Sequence, residues 1–365
     1  MRLPDIKQHA VILLFNMKMD ADDRILGFTT DWVNTFARKA DKVIVITMQI
    51  GRLEVDENVT VYSVGKEKGF SKLKYLIEFY RALRKVLKNE QIELCIIHMI
   101  PIFLVLAGPF LRLKSIPSIL WYTHKSVTWY LRVASFFANY VITASQSSFR
   151  LKTKKKHVVG HAVDTRRFVP MDKHGEKENE FVILTVGRIS HIKRLEILIE
   201  AVPYIQHRLN SKLVVRIIGE PLNLEDEKYR EWLKTRINEL GLNEVFKFEG
   251  GISFFEIHKY YQNADCFVNL CPTGGIDKAV LEAMSCAVPV FVTNTGFYEI
   301  LSPDLAREHI FNAMSESLGE RLLWFYSLTI KQRRSRGYLF RLIVEKGHSL
   351  STLVSRIDTV LADRK

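Results

Sequence analysis

The chain has 365 residues, 47% hydrophobic and 25% charged, a composition that suits two folded domains of about 150 to 200 residues each and excludes a disordered or low-complexity chain. Its four cysteines, Cys95, Cys266, Cys271 and Cys286, form no C-x-x-C pair and no repeated spacing, so neither a zinc site nor a disulfide framework is expected. The net charge of +13 lies entirely in one half, because residues 1–170 hold 27 Lys and Arg against 14 Asp and Glu while residues 171–365 hold 26 of each; such asymmetry points the first half toward an anionic membrane surface, an acidic polymer or nucleic acid.

The N-terminus runs Met1-Arg2-Leu3 and reaches Asp5 and Lys7 before any apolar run, without the order of a secretory signal. Short β-branched runs then alternate with amphipathic stretches, the pattern of βα units around parallel sheets. Strands are predicted over 9–15, 42–47, 59–64, 94–98, 118–122 and 140–143. After the first of them a single glycine, Gly27, stands before a helix predicted near Thr29. The spacing over 71–88 predicts a basic amphipathic helix, with Leu73, Leu76, Ile77, Tyr80, Leu83 and Leu87 as its apolar stripe. Lys72, Lys74, Arg81, Arg84, Lys85 and Lys88 flank that stripe. The most apolar window, 92–111, contains Glu93, His98, Pro101, Gly108 and Pro109 and reads as a buried strand and helix rather than a membrane span.

Periodicity stops over 164–179, where Pro170, Gly175 and mixed charges mark a linker. A second α/β series follows, with strands predicted over 181–186, 212–218, 245–248, 266–270 and 288–292. The stretch 318–361 is expected to be helical. This gives a first domain over 1–163, a linker over 164–179, a second domain over 180–345, and a C-terminal helical segment over 346–365 that packs back on the first.

In parallel α/β sheets ligands bind beyond the carboxyl ends of the strands, so the loops that leave strands carry the search for chemistry. After 181–186 comes Gly187-Arg188-Ile189-Ser190-His191-Ile192-Lys193-Arg194. A glycine exit with two cations beside a helix N-terminus reads as a diphosphate cradle or, equally, as an exposed basic loop. After 266–270 comes Cys271-Pro272-Thr273-Gly274-Gly275-Ile276-Asp277, and then a helix bearing Glu282. The paired glycines let backbone approach a ligand, and the new helix offers its positive end to phosphate. Glu282 fits either a partner for ribose hydroxyls or a surface charge paired with Lys278, and Asp277 fits a helix N-cap. His98 and His124 both follow strands; for His98 a buried structural role is expected.

Together these segments resemble the retaining glycosyltransferases of family 4, of the two-domain GT-B type. The resemblance covers about 120 residues: Val186-Gly187-Arg188 with Lys193, Ile218-Gly219-Glu220-Pro221, Leu240-Gly241-Leu242, Val245-Phe246-Lys247-Phe248-Glu249-Gly250, Tyr261 through Ala264-Asp265, Leu281-Glu282-Ala283-Met284 with Pro289-Val290, and Gly296 with Glu299. The first half matches more loosely, through Ile119-Leu120-Trp121-Tyr122-Thr123-His124 and Val163-Asp164-Thr165-Arg166-Arg167-Phe168.

The resemblance implies an α/β fold of two Rossmann-like parallel-sheet domains facing a central cleft. It also implies a hexosyltransferase that moves sugar from a nucleotide-diphosphate sugar to a lipid-linked or polysaccharide acceptor, with no obligatory metal. Arg188 and Lys193 would stabilise the leaving diphosphate. His124 would hydrogen-bond the donor sugar or the reacting oxygens. Gly187, Gly274, Gly275 and Ile276 would approach the donor through backbone, Asp277 through backbone or side chain, and Glu282 would hold ribose; Gly27 would line the acceptor-side loop. The first of the family's two spaced glutamates is replaced by Gly274, so a nucleotide-sugar-binding scaffold without catalysis is the alternative. A nucleic-acid binder is disfavoured, since no zinc finger, RRM or KH signature and no regular aromatic platform accompanies the basic residues. The expected setting is cytoplasmic, peripheral on the inner face of the cell membrane, in cell-envelope polysaccharide biosynthesis.

Overall fold

The structure, a computed structural model, describes residues 10–23, 26–171, 179–272 and 275–362. It divides into two compact units, residues 1–162 with 350–365, and residues 163–349. The chain first lays down β1 (Val11–Met19), α1 (Phe28–Ala37), β2 (Lys42–Ile50), β3 (Val59–Ser63), α2 (Lys72–Asn89), β4 (Leu94–His98), α3 (Pro101–Leu113), β5 (Ser118–Trp121), α4 (Trp129–Phe137), β6 (Tyr140–Thr143) and β7 (Lys156–Val158). The second unit contains β8 (Glu180–Val186), α5 (Leu195–Gln206), β9 (Lys212–Ile218), α6 (Leu224–Glu239), β10 (Phe246–Gly250), α7 (Ile257–Asn263), β11 (Cys266–Asn269), α8 (Lys278–Ser285), β12 (Val290–Val292), α9 (Pro303–His309), α10 (Ser315–Ser327) and α11 (Ile330–Gly347). A last helix, α12 (Leu353–Ala362), returns to the first unit.

Both sheets are parallel. Their strand orders are β3-β2-β1-β4-β5-β6-β7 and β10-β9-β8-β11-β12. Each sheet therefore winds outward from a central strand and then crosses to its other side. This leaves a crevice at the carboxyl ends of β1 and β4 in the first unit, and of β8 and β11 in the second, where neighbouring loops diverge.

Alternation along the first unit's strands builds two cores. Leu13 and Phe15 of β1 pack with α2, α3 and α4, whereas Ile12 and Leu14 pack with α1 and α12. A strand exposed to neither face to solvent must be apolar on both, which is why these runs show no polar alternation.

Four sequence expectations change. β1 runs to Met19 and pairs with β2 as far as Ile50, because Asn16 and Lys18 break the apolar run without breaking the ladder. β7 was not anticipated; three residues at a sheet edge leave little pattern. The segment 318–361 is three helices, interrupted where Thr329 and Gln332 form a capping box that starts α11 and again after Gly347. On α2 the buried stripe is Phe79, Ala82, Leu83, Val86 and Leu87, while Leu73, Leu76 and Ile77 are exposed. Core contact begins in earnest only at Phe79. No helix among the described residues is long and apolar enough to cross a membrane.

A buried histidine in the second unit gives a pH prediction. His309 is fully enclosed, donates from Nδ1 to the Val290 carbonyl, and lies between the rings of Phe291 and Phe340 at 4.8 Å each. Burial pushes its pKa down from 6.5 to about 3, and Arg336 and Arg321 act in the same direction. The unfolded chain therefore binds the proton more readily, so stability falls as pH drops from 6.5 toward 3, by on the order of 5 kcal/mol over the whole window. Acid unfolding of the parent and of His309→Gln checks this: the variant's stability should be flatter below pH 6.5, and parallel curves would remove His309 as the cause.

Candidate functional site

The crevice between β8 and β11 collects most of the anticipated residues of the second unit. Gly187 leaves β8 with φ +146°, and a Cβ there would lie 3.0 Å from Lys193 Cε. The missing side chain is what lets Lys193 fold back across the strand end. Gly219 leaves β9 with φ +140°, and its Cβ would fall 1.9 Å from the Gly187 carbonyl oxygen. Two strand exits thus pack backbone to backbone, which only glycine permits.

Lys193 Nζ donates to Asp277 Oδ2 at 2.9 Å, joining the β8 loop to the β11 loop. Asp277 is the N-cap of α8: its Oδ1 accepts from the Ala279 backbone N–H at 3.1 Å. Asn269, at the end of β11, donates to Asp277 Oδ2 at 3.0 Å and accepts from the Cys271 N–H at 3.2 Å. Burial alone would push the Lys193 ammonium down, but the Asp277 charge and hydrogen bond outweigh it and hold it above its ordinary value. Burial would likewise raise Asp277, and Lys193, the Ala279 N–H and Asn269 together bring it below the usual carboxylate range. The pair is ionised at neutral pH.

Arg188 is exposed, and its Nε lies 3.8 Å from Asp226 Oδ2 at the start of α6. Each cation of the anticipated cradle therefore faces a carboxylate of its own unit. Gly275 holds its place through its carbonyl, which accepts from Asn294 Nδ2 at 3.0 Å, and Ile276 is buried. Gly274 lies outside the described residues, as does Thr273.

Glu282 is buried rather than a surface charge. Tyr261 Oη donates to its Oε2 at 3.1 Å, and Lys278 Nζ stands 3.6 Å from Oε1. Burial raises the Glu282 pKa despite these partners, because few groups replace the water a carboxylate loses.

In the first unit, His124 is exposed in the loop after β5, and its Nδ1 accepts from the Ser126 N–H at 3.0 Å. In the neutral ring this places the proton on Nε2, the nitrogen left free to donate. His98 is buried among Phe28, Trp32 and Trp121, with centroids 4.7 to 6.1 Å away. Gly27 caps α1 in ordinary right-handed geometry, so nothing in its backbone demands glycine. Its loop is fastened by Lys18, which bridges Asp20 and Asp23 at 3.1 and 2.6 Å.

Sequence reasoning missed Asn269, Asn294 and Asp226. A polar residue closing an apolar strand, as Asn269 does, was the one signal present.

Comparison with known proteins bears on this geometry. Residues 168–338 match the family model described as glycosyl transferases group 1. Over 122 residues, 33% of this chain and 29% of the relative, the sequence is 32% identical to an uncharacterized glycosyltransferase of Methanocaldococcus jannaschii. Over 225 residues, 59% of this chain and 48% of the relative, it is 25% identical to mannosylfructose-phosphate synthase of Agrobacterium fabrum. The chain thus spans less than half the length of these relatives.

Among solved structures, Anabaena HepE in complex with UDP and glucose superposes with a TM-score of 0.73 at 17% identity, over 97% of this chain and 100% of that one. Sucrose-phosphate synthase from Thermosynechococcus elongatus gives 0.73 at 14% identity, over 97% and 99%. The fold is accordingly GT-B, two Rossmann-like parallel-sheet units, and residues 168–338 within it are similar to glycosyl transferases group 1.

Proposed function

We propose that the chain is a retaining hexosyltransferase of family 4 that uses a nucleotide-diphosphate sugar, needs no metal, and serves a lipid-linked or polysaccharide acceptor at an anionic membrane surface. The observation that carries the reading is the meeting of Lys193, Asp277 and the N-terminus of α8 at the β8/β11 crevice. The positive end of a helix, with an ammonium and Arg188 beside it, suits a diphosphate.

In this reading Arg188 and Lys193 stabilise the charge that develops on the departing diphosphate, an effect that grows in the transition state and so raises kcat. For Lys193 to turn to phosphate, Asp277 must give it up while keeping Asn269 and the Ala279 N–H. Glu282, held by Tyr261, accepts from ribose hydroxyls. His124 Nε2–H donates to the sugar or to the reacting oxygens, and the leaving phosphate takes the acceptor proton.

The test is turnover of a panel of nucleotide sugars by the full chain with membrane extract, followed by mass analysis of product. His124→Ala is expected to lower kcat roughly tenfold or more while nucleotide diphosphate binding stays at the parental level. Equal loss of both would place His124 outside the chemistry. A second reading, a donor-binding scaffold, is favoured by the engagement of Lys193 with Asp277 and by Gly274 in place of a glutamate. Tight diphosphate binding without turnover of any donor would select it.

A further inference from the structure

The helices that cover the two faces of the first unit's sheet differ in what they show to solvent. On α1 and α12 no large apolar side chain is exposed among the described residues. On α2, α3 and α4 several are: Leu73 is 67% exposed, Ile77 49%, Leu113 85% and Phe136 62%. Ring contacts join the three helices of the layer. Tyr80 of α2 lies 5.9 Å from the exposed Phe110 of α3, and the Arg112 guanidinium sits 4.3 Å over the Phe136 ring of α4. At 100° per residue, Leu73, Ile77, Tyr80 and Arg84 share an arc of about 60° on α2.

Charge follows the same division. Lys72, Lys74, Arg81, Arg84, Lys85 and Lys88 are all exposed on α2, where Glu78 is the lone carboxylate and is spent on Arg81. Arg112 and Arg132 add to α3 and α4. By contrast α1 and α12 carry Asp31 and Asp358 against Arg356.

We infer that the α2–α3–α4 layer is the surface that seats on an anionic bilayer, and that Leu73, Ile77, Leu113 and Phe136 enter the acyl boundary while the lysines and arginines meet lipid phosphates. This rests on the membrane reading proposed above and adds insertion to attraction. Basic residues with interleaved apolar anchors are the signature of an interfacial surface, whereas attraction alone needs no exposed leucine.

The experiment is flotation of the full chain on phosphatidylcholine vesicles with and without about one-third phosphatidylglycerol, at low and high salt. The parent should bind the anionic vesicles and keep part of that binding at high salt, because inserted apolar area is not screened. Leu73→Ser/Ile77→Ser and Leu113→Ser/Phe136→Ser should each weaken partition about tenfold or more. Arg84→Glu/Lys88→Glu should abolish the preference for anionic lipid. Circular dichroism and thermal melts guard against unfolding; all these side chains are exposed, so both should match the parent. If charge reversal releases the protein but the serine variants bind normally, insertion is wrong and electrostatic docking stands. If the parent ignores anionic vesicles, the membrane reading itself fails. If the serine variants instead convert an oligomer to a monomer, the layer is a self-association face and the inference is overturned.

Discussion

Lys193→Ala is expected to weaken nucleotide diphosphate binding by roughly tenfold to a hundredfold, since a charge-assisted contact to phosphate contributes about 1.5 to 3 kcal/mol. The change also strands Asp277, whose carboxylate would then face phosphate with only Asn269 and the Ala279 N–H as partners. Asp277→Asn preserves the N-cap, because Asn and Asp cap equally well, and releases Lys193. Diphosphate binding by Asp277→Asn should therefore equal or exceed the parent's. In the double variant the loss should be smaller than the sum of the two single effects, by a coupling energy of roughly 0.5 to 3 kcal/mol. Calorimetric titration of the four proteins measures it. Strict additivity would mean that Asp277 and Lys193 act on the ligand independently of each other. Loss of turnover in Asp277→Asn with diphosphate binding intact would assign the carboxylate to the donor sugar instead.

Glu282→Gln should separate stability from ligand binding. The folded pKa of Glu282 lies above its unfolded value, chiefly through burial. The folded state then holds the proton better, so ionisation costs stability as pH rises past about 4.5, and the cost persists at neutral pH. Glutamine keeps an acceptor for Tyr261 Oη and carries no charge. The variant should melt above the parent at pH 7, with the gap closing as pH falls to 4.5. Its nucleotide affinity should drop roughly tenfold or more, the loss of a charged acceptor for ribose. A variant that melts below the parent at pH 7 would show that Lys278, 3.6 Å away, compensates the buried charge after all. An unchanged affinity would detach Glu282 from ribose. Such opposed effects are common where a site keeps a group that the fold alone would not choose.

The alternation of strands and helices was legible in the sequence because apolar runs of strand length and amphipathic runs of helix length repeat with little ambiguity. The loops after 181–186 and 266–270 were legible too, since strand exits rich in glycine and cations are local features. What stayed hidden is relational. The Lys193–Asp277 contact joins residues 84 apart, and nothing in either loop indicates the other. The pairing depends on β8 and β11 being neighbours, which is a property of strand order. On α2 the periodicity correctly reported amphipathicity, yet it could not say that Leu73 and Ile77 find no core to cover. A pattern gives the faces of a helix, and tertiary structure decides which of them meets water.

The return of α12 to the first unit has a consequence for biosynthesis. Leu353, Val354, Ile357, Val360 and Leu361 pack with Ile12, Leu14, Trp32 and Trp121 in one core. The ribosome delivers those partners at opposite ends of synthesis. Residues 163–349 emerge as an uninterrupted stretch and can close their own core while the earlier unit still waits for its last helix, although domains otherwise tend to fold in the order they are made. During that interval one side of a seven-stranded sheet lacks part of its cover, and nascent chains stalled before Leu353 should be the species that chaperones hold and proteases remove.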